Sequence, residues 1–330
     1  MTDNNVLLLK AGDVHQLLDG REDDVIDAVR QAYEIHTRGA SAMPSAPFLR
    51  FPGGGPDRII CKQAYLGESF NVAGMKWVAS VPDNVPRGIP RASAVIVLNA
   101  RETGRPTALL EGSIISARRT AASAALAARE LRQGQKTSSI GFVGCGLINF
   151  ETARFLAAVY PNPDRVAVYD LDPGRAADFA KRLEEFFGSA TAVANLDDLQ
   201  TDVTSFATTA VVPHVDELSF CPSDGTVLHI SLRDLTPKVI LGHDNVVDDY
   251  EHVNQAQTSI HLASEEAGNG DFCRGSIGEV LLGQAPAKEG NGVTIFSPFG
   301  LGVLDLAVAE LVRAMAEKEG VGTVVESFLP

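Results

Sequence analysis

Two glycines, two carboxylates and a few isolated cations are the residues here whose types and spacing could do chemistry. The stretch Ser139-Ile140-Gly141-Phe142-Val143-Gly144-Cys145-Gly146-Leu147-Ile148-Asn149-Phe150 runs from an apolar segment through a glycine turn. Beyond it Phe150, Ala153, Leu156 and Tyr160 recur at helical spacing. Strand, glycine turn and helix in that order make a dinucleotide-binding turn. Gly144 allows the tight turn, Gly146 lets a pyrophosphate approach the backbone, and the helix start offers free N–H groups. Asn149 stands where the third glycine usually is, so the pattern is incomplete. Asp170 follows the apolar segment Arg165–Tyr169. It lies roughly 20–25 residues past the glycines, where an acid takes the adenosine ribose hydroxyls. A carboxylate there repels a 2′-phosphate and favours NAD over NADP. The alternative is a solvated acid at a strand end. Cys145, inside the turn, is expected to contribute backbone, not thiol chemistry.

Lys76 is the only charge between Asn71 and Pro82. An ammonium in such an apolar segment suffers desolvation unless it meets a partner, and an anionic ligand is one such partner. The other reading is an edge-strand lysine that reaches water along its stem. Arg50 stands in a loop rich in Pro and Gly, residues 39–56, where it is either solvated or functional. Arg118 and Arg119 interrupt an alanine-rich helical pattern. Neighbouring helical residues project about 100° apart, so one arginine is expected in solvent and the other turned inward. Asp234 follows an apolar segment at 226–232 and either meets a ligand or caps the turn before Pro237.

These residues need elements to hold them. Residues 13–38 carry Val14, Leu17, Leu18, Val25, Ile26, Val29 and Tyr33 at helical spacing. Arg58–Leu66, Val72–Ser80, 92–99 and Pro106–Glu111 read as antiparallel strands, with a hairpin loop at Glu102-Thr103-Gly104. Residues 113–133 form a long helix stopped by Gly134. From residue 138 strands alternate with helices: Ser139–Val143, Arg165–Tyr169, 202–209, 226–232, 245–247 and 293–296, with Pro173–Phe187 an amphipathic helix. That alternation predicts an α/β fold with a doubly wound parallel sheet. Ligands of such sheets sit beyond the carboxyl ends of strands, which is where Thr208, Thr209 and Asp234 fall. Residues 300–320 form an amphipathic helix and 322–328 a strand-like tail.

A chain of 330 residues has room for two domains. The net charge of -14 argues against nucleic acid or an anionic membrane as partner. No apolar run approaches about 18 residues, so no membrane span is expected. Val6-Leu7-Leu8-Leu9, flanked by Asp3 and Lys10, is not a signal peptide. The four cysteines form no C-x-x-C pair and the histidines show no metal-binding spacing. A reduced, cytoplasmic, metal-free protein is therefore expected.

Several segments together resemble the ornithine cyclodeaminase/mu-crystallin family. They are Met75-Lys76-Trp77-Val78, Arg119-Thr120-Ala121-Ala122, Gly144-Cys145-Gly146, Tyr169-Asp170-Leu171-Asp172-Pro173 and Asp234-Leu235-Thr236-Pro237-Lys238, and they span nearly the whole chain. Residues 76–80, 91–99, 110–116 and 144–149 resemble the branch that makes 2,3-diaminopropionate for siderophores and peptide antibiotics. Cyclodeaminases proper carry a Gly-Ala-Gln type turn and a Tyr-Val-Asn-Gly type segment after the lysine, and this chain has neither. The resemblance implies a substrate-binding and dimerisation domain of α+β type at 1–118 and 305–330, with a Rossmann NAD-binding domain at 119–304. By position, Arg50, Lys76 and Arg119 match the family's substrate-carboxylate and catalytic groups, and Asp234 its acid/base. Ser93, Arg119, Thr120, Gly144, Gly146, Leu147, Ile148, Asp170, Thr208, Ser231 and Lys238 fall on positions that contact the NAD cofactor.

The implied reaction is the NAD-dependent oxidative hydrolysis of N-(2-amino-2-carboxyethyl)-L-glutamate. Hydride leaves the glutamate α-carbon, water adds to the resulting imine, and collapse gives 2-oxoglutarate and L-2,3-diaminopropionate. Such a substrate carries three carboxylates, so Arg50, Lys76, Arg91 and Arg119 are its expected complement. Asp234 would accept the ammonium proton and then activate water. Lys76 would hold a carboxylate and raise the electrophilicity of the α-carbon. Alternatives are an ornithine cyclodeaminase recycling NAD, a ketimine or imino-acid reductase, and a non-catalytic ligand-binding protein. Retention of Lys76 and Asp234 argues against the last. The resemblance also implies a homodimer acting on a small amino-acid substrate.

Overall fold

The computed structural model describes residues 4–44, 46–53, 55, 57–290 and 292–330. The chain divides into two compact units: Met1–Arg119 with Leu301–Pro330, and Thr120–Gly300. The boundaries expected from the sequence lay one residue earlier at the first crossing and four residues later at the return.

In the first unit the expected antiparallel strands form the centre of a sheet. Arg58–Leu66 pairs with Val72–Ser80, which pairs with Ala92–Ala100, which pairs with Pro106–Glu111. Two more strands extend this sheet, one of them within the strand-like tail expected at 322–328. Val6–Leu9 runs parallel to Pro106–Glu111, and Thr323–Val325 pairs antiparallel with Val6–Leu9. The Pro/Gly-rich loop also contributes: Ser41–Ala42 and Phe48–Arg50 both pair with Arg58–Leu66. The helical pattern at 13–38 is two helices, Ala11–Leu18 and Glu22–Thr37, because Gly20 takes a left-handed φ of 66° between them.

Side chains alternate across this sheet. Lys62, Lys76 and Ile96 are directly opposed on one face, and Cys61, Trp77 and Val95 on the other. Helix Gly302–Glu319 covers the first face. A Cβ at Gly74 would meet the Leu306 side chain at 3.1 Å and the Val97 carbonyl at 2.2 Å, so glycine there admits the helix.

The second unit is an eight-stranded sheet in which every pair is parallel. Its order is Thr191–Ala192, Arg165–Tyr169, Ser139–Val143, Val203–Phe206, Thr226–His229, Thr294–Ser297, Asp244–Val247 and Cys273–Ser276. Central strands such as Val203–Phe206 and Thr226–His229 are buried throughout, as strands covered on both faces must be. From Ser139–Val143 the chain proceeds first to one side of the sheet and then to the other. That reversal leaves a crevice beyond the carboxyl ends of Ser139–Val143 and Val203–Phe206. Two strands are shorter than the apolar runs at 202–209 and 226–232. Thr208, Ser231 and Asp234 therefore lie in loops just past strand ends.

Candidate functional site

The glycine turn lies at that reversal. Gly144 has φ 90°, and a Cβ there would stand 2.7 Å from the Ala207 carbonyl oxygen. Around Gly146 an added Cβ would meet nothing within 4 Å, so the approach to the backbone is open. Helix Leu147–Val159 begins directly after Gly146, which offers no side-chain cap, leaving the first amides for an anion. Leu147 is exposed and Ile148 half-buried on that first turn.

Asn149, in the third glycine's place, is buried and does a different job. Its amide donates to the carbonyls of Val143 at 2.8 Å and Gly144 at 2.7 Å, and its Oδ1 accepts from Ser205 Oγ at 2.7 Å. The turn is thereby tied to two strands. Asp170 is anchored too, accepting the amides of Cys145 at 2.9 Å and Asp172 at 3.0 Å. Burial and neighbouring Asp170 push the Cys145 thiol up to about 12, so it supplies backbone here. An open glycine turn, a free helix start and an anchored carboxylate fit a dinucleotide.

Asp234 is fully buried within the same unit. Thr208 Oγ1 donates to its Oδ1 and Ser231 Oγ to its Oδ2. Its backbone amide meets His229 Nε2 at 3.1 Å, the same nitrogen lies 3.4 Å from its Oδ2, and His229 Nδ1 lies 3.3 Å from Ser297 Oγ. Burial pushes the Asp234 carboxyl up, but His229, Ser231 and Thr208 outweigh it and the net shift is downward. Asp234 is held as a carboxylate. Leu232 in the preceding turn has a left-handed φ of 68°, a strained conformation that directs Ser231 and Asp234. The cap of helix Pro237–Leu241 is Thr236, so Asp234 is not a turn cap.

Lys76 belongs to the first unit. Its strand is interior to the sheet and it is 2% exposed, which removes the edge-strand reading. Nζ donates to Ser116 Oγ at 2.8 Å and lies 2.8 Å from both carboxylate oxygens of Asp305. Arg119 Nε donates to Asp305 Oδ1 at 2.8 Å. The terminal nitrogens of Arg119 make no hydrogen bond among the described residues. Burial pushes Lys76 down to about 7, with Asp305 opposing and Arg119 and Lys62 adding to the fall. Asp305 goes the other way from what burial alone would do: Arg119, Lys76 and Lys62 keep it below the ordinary carboxylate range. A lysine poised near neutrality can hold an anion or exchange a proton. Arg118 is buried as well, donating to the Leu18 carbonyl. Neither arginine is in solvent, contrary to expectation, because each of the two directions leads to its own acceptor.

The other expected residues are less gathered. Arg50 is exposed in the short strand Phe48–Arg50, its guanidinium over the Phe48 ring at 5.8 Å. It pairs with Arg58 on the face that carries Lys62 and Lys76. Arg91 is exposed just before strand Ala92–Ala100. Ser93 is exposed and opposes Ala79, on the face away from Lys76. Thr120 is half-buried in helix Ser113–Leu131, and Lys238 is exposed in helix Pro237–Leu241. Sequence reasoning missed Asp305, His229, Ser116 and the role of Asn149. Asp305 did carry a signal, being an acid in register with Val308, Ala309 and Val312 on the buried stripe of its helix.

Residues 5–213 match the profile of the ornithine cyclodeaminase/mu-crystallin family. The N-((2S)-2-amino-2-carboxyethyl)-L-glutamate dehydrogenase of Staphylococcus aureus is 28% identical over 98% of this chain and 99% of its own. Among solved structures, Thermococcus litoralis Δ1-pyrroline-2-carboxylate reductase in complex with NADH and L-proline is similar at TM-score 0.87 and 25% identity, covering 96% of this chain and 99% of that one. An archaeal alanine dehydrogenase dimer with bound NAD is similar at TM-score 0.87 and 26% identity, covering 98% and 99%. With the match running through both the Lys76 strand and the glycine turn, this chain belongs to the ornithine cyclodeaminase/mu-crystallin family.

Proposed function

We propose that this NAD-dependent oxidoreductase of amino-acid CH–NH bonds cleaves N-(2-amino-2-carboxyethyl)-L-glutamate oxidatively to 2-oxoglutarate and L-2,3-diaminopropionate. The observation that carries the choice of substrate is the buried group of Lys76 and Arg119 around Asp305, two cations to one carboxylate. The open edge of the Arg119 guanidinium suits a planar carboxylate. Full-length similarity to the Staphylococcus aureus dehydrogenase supports the same substrate.

Gly144, Gly146 and the first turn of helix Leu147–Val159 would hold the pyrophosphate of NAD and Asp170 its adenosine ribose, and the cofactor would supply the hydride acceptor for the glutamate α-carbon. Lys76 and Arg119 bind carboxylates and fix the orientation of that carbon. Asp234 takes the proton of the secondary ammonium, which frees the nitrogen lone pair to form the imine. Once that proton has passed to solvent, the regenerated carboxylate takes a proton from the water that adds to the imine carbon and returns it to the nitrogen, and collapse releases the amine. The diaminopropionate would supply siderophore or peptide-antibiotic assembly in the cytoplasm. No helix among the described residues is long and apolar enough to cross a membrane.

A homodimer is part of this reading. The sheet face carrying Trp77 and Val95 leaves them 38% and 37% exposed. An apolar face of that kind suits a second copy. A monomer in sedimentation at micromolar concentration would count against it.

The test is to mix purified protein with NAD+ and the synthetic adduct and to follow NADH and 2-oxoglutarate together. Equal amounts of both support the proposal. Consumption of ornithine without net NADH would make the protein a cyclodeaminase instead.

A further inference from the structure

We infer that His229 is a positioning residue for Asp234, gripping its main chain and its carboxylate together so that the proposed base keeps one orientation. The inference rests on the reading of Asp234 as the base and adds a fully buried residue that acts through it. His229 is the last residue of strand Thr226–His229. Beyond it the chain turns tightly, and the amides of Ile230 and Ser231 both donate to the Phe206 carbonyl, at 2.9 and 3.1 Å. Leu232 takes its left-handed φ of 68° within this turn. A strained turn keeps one conformation only where its surroundings over-determine it. Asp234, five positions past the strand end, comes back onto the His229 ring. Nε2 meets the Asp234 amide at 3.1 Å and lies 3.4 Å from its Oδ2. One ring nitrogen thus contacts both the backbone and the reactive group of the same residue.

The ring is itself fixed from both sides. Phe206 packs edge-on against it, with centroids 6.4 Å apart and planes at 87°. Nδ1 lies 3.3 Å from Ser297 Oγ. Phe206, His229 and Ser297 are the last residues of the adjacent strands Val203–Phe206, Thr226–His229 and Thr294–Ser297. Thr208 and Ser231 also hold the Asp234 carboxylate, but both reach it from loops. His229 is the side chain that ties Asp234 to the carboxyl edge of the sheet.

The experiment uses the full chain with NAD+ and the adduct. His229→Asn puts its amide near the place of Nδ1, so it keeps Ser297 and cannot reach Asp234. His229→Gln carries its amide to the place of Nε2 and keeps Asp234. The Asn variant should lose about 10- to 100-fold in kcat, with KM and calorimetric NAD affinity within about twofold of wild type. The Gln variant should regain most of that loss. In an Asp234→Asn background His229→Asn should cost nothing further in kcat, because the group it positions is already gone. An unchanged kcat in His229→Asn, equal losses in Asn and Gln, or a full further loss in the Asp234→Asn background would overturn the inference. If His229→Asn does not fold, His229→Phe takes its place, keeping a ring against Phe206 without a nitrogen. If wild type does not turn over the adduct, the proposed reaction falls, and hydrogen exchange of the Asp234 amide decides the inference. Faster exchange in His229→Asn but not in His229→Gln sustains it, and equal exchange overturns it. Turnover that falls in Asp234→Asn but not in His229→Asn leaves the proposed reaction standing and removes the positioning role alone.

Discussion

Lys76→Met removes one ammonium from the buried group and keeps an unbranched side chain of similar length. Two stability effects oppose each other. Lys76 binds its proton more weakly in the fold, at about 7 against an ordinary 10.5. Folding therefore bears the cost of its charge in full below pH 7, and that cost fades as pH rises towards 10.5. Methionine abolishes the cost. Against this, Asp305 Oδ1 loses the Lys76 hydrogen bond, worth about 1–3 kcal/mol, while Arg119 stays on that same oxygen. The Tm at pH 7 should consequently move by only a few degrees. The rise in wild-type stability between pH 7 and 9 should be absent from the variant.

Binding behaves differently, because nothing replaces the ammonium as a carboxylate partner. Losing a charge-assisted hydrogen bond of about 1.5–3 kcal/mol corresponds to about a 10- to 150-fold rise in KM. In wild type, affinity for the adduct should fall as pH rises through about 7, as Lys76 loses its proton. Burial sets this value, with Asp305 opposing and the Arg119 and Lys62 charges adding to the fall. The Met variant should show a flat profile over that range. The assay is KM for the adduct from pH 6 to 9, paired with thermal unfolding in the same buffers and NAD affinity as control. An unchanged KM, or a wild-type pH profile persisting in Lys76→Met, would refute the reasoning.

Asp234→Asn keeps the size of the side chain but cannot take a proton, so kcat should fall about 10²–10⁴-fold while calorimetric NAD affinity stays near wild type. Near-normal turnover would leave Asp234 as a purely structural partner of Ser231 and Thr208. Asp170→Ala should raise kcat/KM for NADP relative to NAD, and equal use of both cofactors by wild type would remove the role of Asp170. Asn149→Ala should lower Tm and NAD affinity together, since it strips donors from the buried Val143 and Gly144 carbonyls at about 1–3 kcal/mol. A drop in Tm with intact NAD affinity would show that the turn keeps its shape without this tie.

What could be read from the sequence depended on whether a residue's chemistry is local. The glycine turn was readable because strand, turn and helix are consecutive, and φ at Gly144 is a property of the turn itself. The parallel sheet was readable for the same reason, as alternation of apolar runs needs no long-range knowledge. Lys76 was visible only as an anomaly. Its partner Asp305 is 229 positions away, so neither its burial nor its depressed proton affinity could be derived from neighbours. The strands 202–209 and 226–232 were read too long because apolar residues continue past the last paired position. Leu232 is buried in a left-handed turn, and apolar character alone cannot separate that from a strand. The same overrun hid His229 as part of an apolar core run. Ending the strand at His229 brings its Nε2 to the Asp234 amide and lets Ser231 and Thr208 converge on one carboxylate. The register of a strand end, which the tertiary fold fixes, therefore determines which hydroxyls tune the proposed base.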